Sequence, residues 1–251
     1  FANFNWGKSE VDYSISTAKW INRNPYDVLA GLELQKGGSY KTNVDWNAIL
    51  DEHGKLRLSL GLYAPDTITG LGKTGEGYHT HEDLFWTGFQ GDPTKGKPAD
   101  QSWYGMSNLV VDKTPITSED FNTSFNTGHG KHWFVDGKIS KEGEWNYRSV
   151  SGYLPTWRWW VEHSEDSTPL KGRYDFDQAY NGGNSLAFEG DLKANSSQNV
   201  MLYSTKIPVT ETTKLSVSHK GGIGAAAWVA VATKEDYSEY EWKELTPSAD
   251  W

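Results

Sequence analysis

No cysteine occurs in the 251 residues. That removes disulfides, thiolate zinc sites and thiol nucleophiles together. No run of about 18 apolar residues exists, so no stretch is long enough for a transmembrane helix. Positive charge is scarce and scattered: 24 basic residues against 33 acidic ones give a net charge of −9. A phosphate backbone needs clustered lysine or arginine to displace its counterions, so nucleic acid is not an expected partner. The start, Phe1-Ala2-Asn3-Phe4-Asn5-Trp6, has no initiator methionine and no basic, apolar leader. The expectation is that the natural N-terminus lies upstream. No Gly-x-Ser-x-Gly elbow is present, and Gly70-Leu71-Gly72-Lys73-Thr74 lacks the spacing of a phosphate loop and reads as a flexible loop. Internal repeats and low-complexity tracts are absent too.

What the chain does have is aromatic surface. Thirteen tryptophans and thirteen tyrosines stand among 251 residues, with 36% hydrophobic and 23% charged residues overall. That is a globular composition with more Trp and Tyr than a core needs, since each carries a polar tip. Flat aromatic faces stack on the C–H faces of sugars, so this excess, with abundant Asn, Asp and Gly, points toward carbohydrate. A Trp-rich β-protein without a sugar ligand has the same composition.

The pattern divides the chain. Residues 1–6 read as a strand end, and 9–22 as a helix with Val11, Ile15, Ala18 and Ile21 at helical spacing. Asn24-Pro25 breaks it. Residues 27–34 form a buried strand, 44–52 a short amphipathic helix, 56–64 a third strand, 80–87 a helix and 121–127 a fourth strand. Strands alternating with helices predict parallel βαβ units. Four strands are half of what a closed (β/α)8 barrel requires. After Trp160 the character changes: 163–170 reads as a linker. From 171 to 251 short strands with turn signals (185–189, 200–205, 214–219, 225–233) predict an antiparallel sandwich.

Polar and aromatic clusters close the apolar runs, where a barrel gathers its chemistry. Glu33 and Asp66 each follow a buried strand. A pair of carboxylates flanking a sugar bond is the usual engine of glycoside hydrolysis, and hydrogen bonding to neighbouring loops is the plainer role for both. His79, His81, His129 and His132 lack a carboxylate at metal-site spacing, so no metal centre is expected. Alternation over Leu154-Pro155-Thr156-Trp157-Arg158-Trp159-Trp160 would set Trp157 and Trp159 on one side, either as a sugar platform or, the favoured reading, as the seal between barrel and sandwich.

Taken in order, Asn3-Phe4-Asn5-Trp6, Asp27-Val28-Leu29-Ala30-Gly31-Leu32-Glu33-Leu34, Leu62-Tyr63-Ala64-Pro65-Asp66 and Phe121-Asn122-Thr123-Ser124-Phe125-Asn126-Thr127-Gly128-His129-Gly130 resemble glycoside hydrolase family 85, the endo-β-N-acetylglucosaminidases, and most of all their bacterial endo-D type. The likeness covers residues 1–160, and the following segment is similar to an accessory sandwich of those enzymes. It implies the later strands of a TIM barrel in 1–162, a linker in 163–170 and a β-sandwich segment, carbohydrate-binding in style, in 171–251.

The resemblance also implies a reaction: hydrolysis of the GlcNAc-β-1,4-GlcNAc core of N-linked glycans, with the substrate's own 2-acetamido oxygen as nucleophile. An Asn would orient the acetamide, and a Glu two residues later would act as acid and then base. That pair belongs to a strand before Phe1, so no catalytic residue is assigned here. Phe4, Trp6, Glu33, Tyr63, Asp66, Phe121 and Asn122 are the implied substrate-binding residues. Phe4 replaces a Tyr common in relatives, Glu33 a strand-end Asp, and Thr67 a Trp found in some. No cofactor and no metal are implied. The implied partners are N-linked glycans of glycoproteins and the missing N-terminal half of the barrel, with secretion or cell-wall attachment as the implied location. The rival expectation is a non-catalytic carbohydrate-binding module built on the sandwich and its Asn181-Gly182-Gly183-Asn184 loop.

Overall fold

The computed structural model describes residues 2–72, 75–88, 103–110, 114–222 and 224–251. Phe1 of the expected first strand end, and Lys73 and Thr74 of the expected loop, lie outside the described residues. The chain gathers into two compact units, Phe1–Asp112 and Lys113–Trp251.

In the first unit, helix α1 (Lys8–Trp20) forms where Val11, Ile15 and Ala18 recur on one face, and all three are buried. Glu10 reaches back to the Gly7 N–H at 2.9 Å and satisfies one of the donors left over at the helix start. Ile21, expected on the same face, is half exposed just past the helix end. Strand β1 (Leu29–Glu33) follows, then the short helices α2 (Leu34–Gly37) and α3 (Trp46–Ile49), strand β2 (Ser59–Tyr63) and helix α4 (Gly75–Thr87). β1 and β2 are parallel, with Leu29 opposite Ser59 and Glu33 opposite Tyr63. Ala2 makes a parallel bridge to Ala30 on the other side of β1. Ala30, Gly31 and Leu32 are buried in succession, as expected of a parallel strand covered on both faces.

The core joins Val11 and Ile15 to Ala30, Leu32, Ile49, Leu58, Phe85, Trp103 and Met106. Trp103 is wholly buried, and its indole N–H donates to the Phe85 carbonyl at 3.0 Å. The helix expected over 44–52 shrinks to four residues. Leu50 leaves it to bridge Leu56, and Asp51 Oδ1 accepts from the His53 and Lys55 N–H groups to close the turn between them.

The second unit is antiparallel throughout its described pairs. β3 (His129–Val135) pairs with β4 (Lys138–Asn146), β5 (Trp160–Glu162) with β8 (Asn199–Met201), β6 (Lys171–Asp175) with β7 (Ser185–Glu189), and β9 (Ala227–Ala232) with β10 (Tyr240–Leu245). Among the described residues no sheet exceeds two strands. Asp136 and Gly137 turn the β3–β4 hairpin, both at positive φ (48° and 74°), the geometry that matches strand twist in a two-residue loop.

Three expectations fail here. Residues 121–127 form no strand: Phe125 takes a φ of 57°, and Thr123 Oγ1 accepts from its N–H at 3.0 Å. Short polar side chains that bond their own backbone displace the ladder. Residues 214–219 also form no strand, and Leu215 and Val217 stand exposed. Residues 156–158 make a 3₁₀ turn, with Trp157, Arg158 and Trp159 all at positive φ, so strand alternation does not govern the two tryptophans. Trp159 is buried edge-on against Tyr174 and Phe188, with the Arg158 guanidinium 4.9 Å over its ring.

Candidate functional site

Four of the seven expected binding residues meet at the C-terminal ends of the parallel strands. Chain continuity carries Phe4 and Trp6 past the Ala2 bridge, while Glu33 and Tyr63 end β1 and β2 in register. The Trp6 indole N–H donates to the Gly31 carbonyl at 2.9 Å, which fixes the ring against β1. Phe4 lies against Tyr63 with centroids 5.1 Å apart and planes tilted by 54°. Phe4, Trp6, Gly31, Leu32, Glu33, Thr42, Asn43, Val44 and Asp45 line a small open cavity of about 90 Å³.

Glu33 already has one task. Its Oε1 accepts from the Gln35 and Lys36 N–H groups at 3.0 and 3.3 Å, capping α2. A carboxylate at a helix N-terminus is favoured by the donors there. Thr42 Oγ1 donates to the Glu33 carbonyl at 2.8 Å and ties the loop after α2 to the strand end. Gly37 allows that approach, because a Cβ there would stand 2.0 Å from Thr42 Oγ1. Thr42, Asn43 and Asp45 were not foreseen as lining. The one signal was the polar stretch between β1 and the expected helix over 44–52, which marks a loop without saying which strand end it covers.

Asp66 is exposed in the 3₁₀ segment Pro65–Gly70 and does not line the cavity. Tyr63 does not line it either and reaches it through the Phe4 ring. Phe121 and Asn122 belong to the second unit. Phe121 packs edge-on to Tyr153 and Tyr203, and Asn122 is exposed. The Tyr203 hydroxyl donates to the Tyr153 carbonyl at 2.6 Å, and burial pushes its phenol up to about 12.

Three of the four candidate histidines have local partners, and His132 stands edge-on to Phe134 with its Nδ1 buried and without a hydrogen-bond partner. His81 Nδ1 meets the Tyr40 hydroxyl at 2.7 Å, His79 faces Glu82 at 3.5 Å, and His129 Nδ1 meets Thr127 Oγ1 at 3.0 Å. Among the described residues no three His, Asp or Glu side chains converge as metal ligands would. The turn at 181–184 is spent on packing. Asn184, fully buried, accepts from the Thr127 N–H and hydroxyl and donates to the Phe125 carbonyl. A Cβ on Gly183 would come within 2.3 Å of the His129 carbonyl oxygen.

This arrangement sets aromatic and polar side chains around one strand end, and at about 90 Å³ the cavity is smaller than a complete sugar site. Among its lining residues it shows no paired acid and base. Nor does an Asn-x-Glu triplet occur anywhere in the 251 residues.

Comparison with known proteins adds the identity of the frame. The glycoside hydrolase domain of Endo-D from Streptococcus pneumoniae superposes with a TM-score of 0.93 at 64% identity, covering all of this chain and 40% of that one. A cytosolic endo-β-N-acetylglucosaminidase of Danio rerio is 24% identical over 239 residues, 93% of this chain and 30% of that protein. Cytosolic endo-β-N-acetylglucosaminidase 1 of Arabidopsis thaliana is 23% identical over 215 residues, 84% of this chain and 28% of its own length. The chain thus spans less than a third of these two relatives. Glycosyl hydrolase family 85 matches residues 1–133, the stretch that carries the strand-end aromatics and the cavity, and the chain belongs to that family.

Proposed function

We propose that this chain is part of an endo-β-N-acetylglucosaminidase that hydrolyses the GlcNAc-β-1,4-GlcNAc core of N-linked glycans, and that it supplies one wall of the sugar groove. The observation that carries this reading is the meeting of Phe4, Trp6, Glu33 and Tyr63 at the ends of parallel strands, in a chain of this family. On this reading the first unit contributes later β/α units of a (β/α)8 barrel, and the second a sandwich-type segment. The chemistry is substrate-assisted: the 2-acetamido oxygen attacks C1, the leaving sugar oxygen takes a proton from an enzymic acid, and water opens the resulting oxazoline. The Asn and Glu that orient and protonate lie in a part of the enzyme before Phe1. Trp6, held by its bond to Gly31, and the Phe4–Tyr63 pair give the sugar its apolar faces. Thr42, Asn43 and Asp45 offer hydroxyl partners. We place the enzyme's action outside the bacterial cell, secreted or bound to the wall.

The test is turnover of a glycopeptide carrying a core-trimmed N-glycan, followed by mass spectrometry for peptide retaining a single GlcNAc. The 251-residue chain alone is expected to release nothing, and the whole protein to release glycan. Turnover by the chain alone would overturn the upstream position of the acid. Inactivity of the whole protein on every N-glycan class would overturn the assignment. In the whole protein, Trp6→Ala is expected to lower kcat/KM about tenfold or more, the loss of a contact worth about 1.4 kcal/mol. Fractionation checks the location, since activity confined to the cytosol would remove that part.

A further inference from the structure

The β3–β4 hairpin carries an irregularity that gathers side chains. Gly130 pairs with Trp145 and His132 with Glu142, so Gly143 and Glu144 stand together opposite the single Lys131. Gly143 takes a φ of 102°, a conformation other residues rarely adopt. Bulges of this kind bend a strand and re-aim its side chains. Here the bulge brings Trp145 to Trp133, with ring centroids 5.0 Å apart and planes at 58°. The Trp145 ring is fixed twice: its N–H donates to the His132 carbonyl at 2.9 Å, and its benzo edge lies where a Cβ on Gly183 would be only 2.6 Å away. Trp133, Lys141, Glu142, Gly143, Glu144 and Trp145 line an open pocket of about 320 Å³. That falls at the small end of ligand sites, which run from about 300 to 1,000 Å³. Among the described residues, no side chain pairs with Lys141, Glu142 or Glu144, and all three charged groups are exposed.

We propose that this pocket binds a neutral pyranose, as a saccharide site of the second unit that performs no chemistry. Two half-buried indoles set at an angle offer apolar faces to the C–H side of a sugar ring. The two carboxylates accept from hydroxyls, and the Lys141 ammonium donates to them. Charge narrows the class further. Two carboxylates against one ammonium leave the pocket with a net negative charge, which disfavours sialic acids and uronates, and the organic cation that this charge would also admit is tested beside the sugars. The site stands independently of the catalytic reading, since sugar binding here and glycan hydrolysis by the whole protein are measured separately.

The experiment is a calorimetric titration of the whole protein, carrying Trp6→Ala to silence the strand-end groove, with methyl α-mannopyranoside and with N-acetylglucosamine. N-acetylneuraminic acid and tetramethylammonium are titrated in parallel. Binding of a neutral sugar is expected with a dissociation constant on the order of 1 mM, ordinary for so few atoms. Trp133→Ala is expected to weaken it about tenfold or more, as the loss of an anchoring aromatic does. The surface double variant Glu142→Gln, Glu144→Gln keeps side-chain size, carries little folding risk, and is expected to weaken binding about threefold to tenfold by removing charge-assisted bonds. Failure of both neutral sugars to saturate the protein would overturn the proposal. So would tighter binding of the anionic or cationic probe, or an affinity that survives both hairpin variants.

Discussion

Among the described residues of the first unit the buried polar ones are Ser39, Thr42 and Thr87, set among a continuous apolar cluster from Val11 to Met106. In the second, the buried apolar residues Ile116, Phe134, Trp159, Tyr174 and Ala179 share the interior with Asn126, Thr127, Thr156, Arg158, Asp175 and Asn184. The two interiors are held differently. Apolar burial is non-directional and roughly proportional to area, so the first unit is sensitive to lost volume. A buried polar network depends on every member finding its partner, so the second is sensitive to chemical identity even when volume is kept.

The largest expected effect is in the first interior. Trp103→Ala removes a fully buried ring that touches Phe85 and Trp46, and should cost about 3–5 kcal/mol. Hydrogen exchange resolved by segment checks this, because each unit can then be read separately. Protection should fall in α1, β1 and α4 and hold in the β3–β4 hairpin. In the second interior the informative change keeps volume. Asn184→Asp keeps size and the acceptor for Thr127 but loses the amide donor, leaving the Phe125 carbonyl without its partner, at about 1–3 kcal/mol for the buried group orphaned. In the first unit, Leu32→Met should cost less than about 1.5 kcal/mol. If the two volume-keeping changes cost the same by urea unfolding, the contrast between the interiors is wrong.

The same contrast explains what could be read from sequence. β1 was legible because a strand buried on both faces leaves an unbroken apolar run, β2 because Leu56, Leu58, Leu60 and Leu62 alternate with other residues, and α1 because Val11, Ile15 and Ala18 mark one face. The strand-end aromatics Phe4, Trp6 and Tyr63 were legible by motif. Thr42, Asn43 and Asp45 were not, because a polar loop shows no periodicity to say which strand end it covers. The second unit hid its logic in side chains. Residues 121–127 were expected to be a strand, yet Thr123, Asn126 and Asn184 bond backbone groups and hold the segment irregular. The hairpin that does form is announced in the sequence by Asp136-Gly137, a two-residue turn signal.

A smaller effect tests that turn. Gly137→Ala forces a side chain into a φ of 74°, which costs roughly 1–2 kcal/mol, and sets a Cβ 2.6 Å from the Trp251 ring. Exchange protection in β3 and β4 should drop while α1, β1 and α4 hold. A loss in the first unit of the same size would mean the two interiors unfold together and cannot be compared one at a time.

The smallest effect concerns the start of α1 and is a matter of sign. Glu10 accepts from the Gly7 N–H, and that bond, with those from its own N–H and the Ser9 side chain, holds its carboxyl below the ordinary 4.5 against a small opposing desolvation. A carboxyl whose folded value is depressed stabilises fully above its unfolded value and loses that contribution as pH falls through the lower folded one. Glu10→Gln keeps an acceptor for the Gly7 N–H but no longer titrates. It should therefore sit slightly below the parent at neutral pH, where the charged carboxylate also favours the helix N-terminus. The gap should then close as pH falls from 4.5 through the folded value. Circular dichroism of urea unfolding at both ends of that window reads the difference. A gap that widens on acidification would mean the carboxyl is raised rather than depressed, and that the bond to Gly7 does not persist in solution.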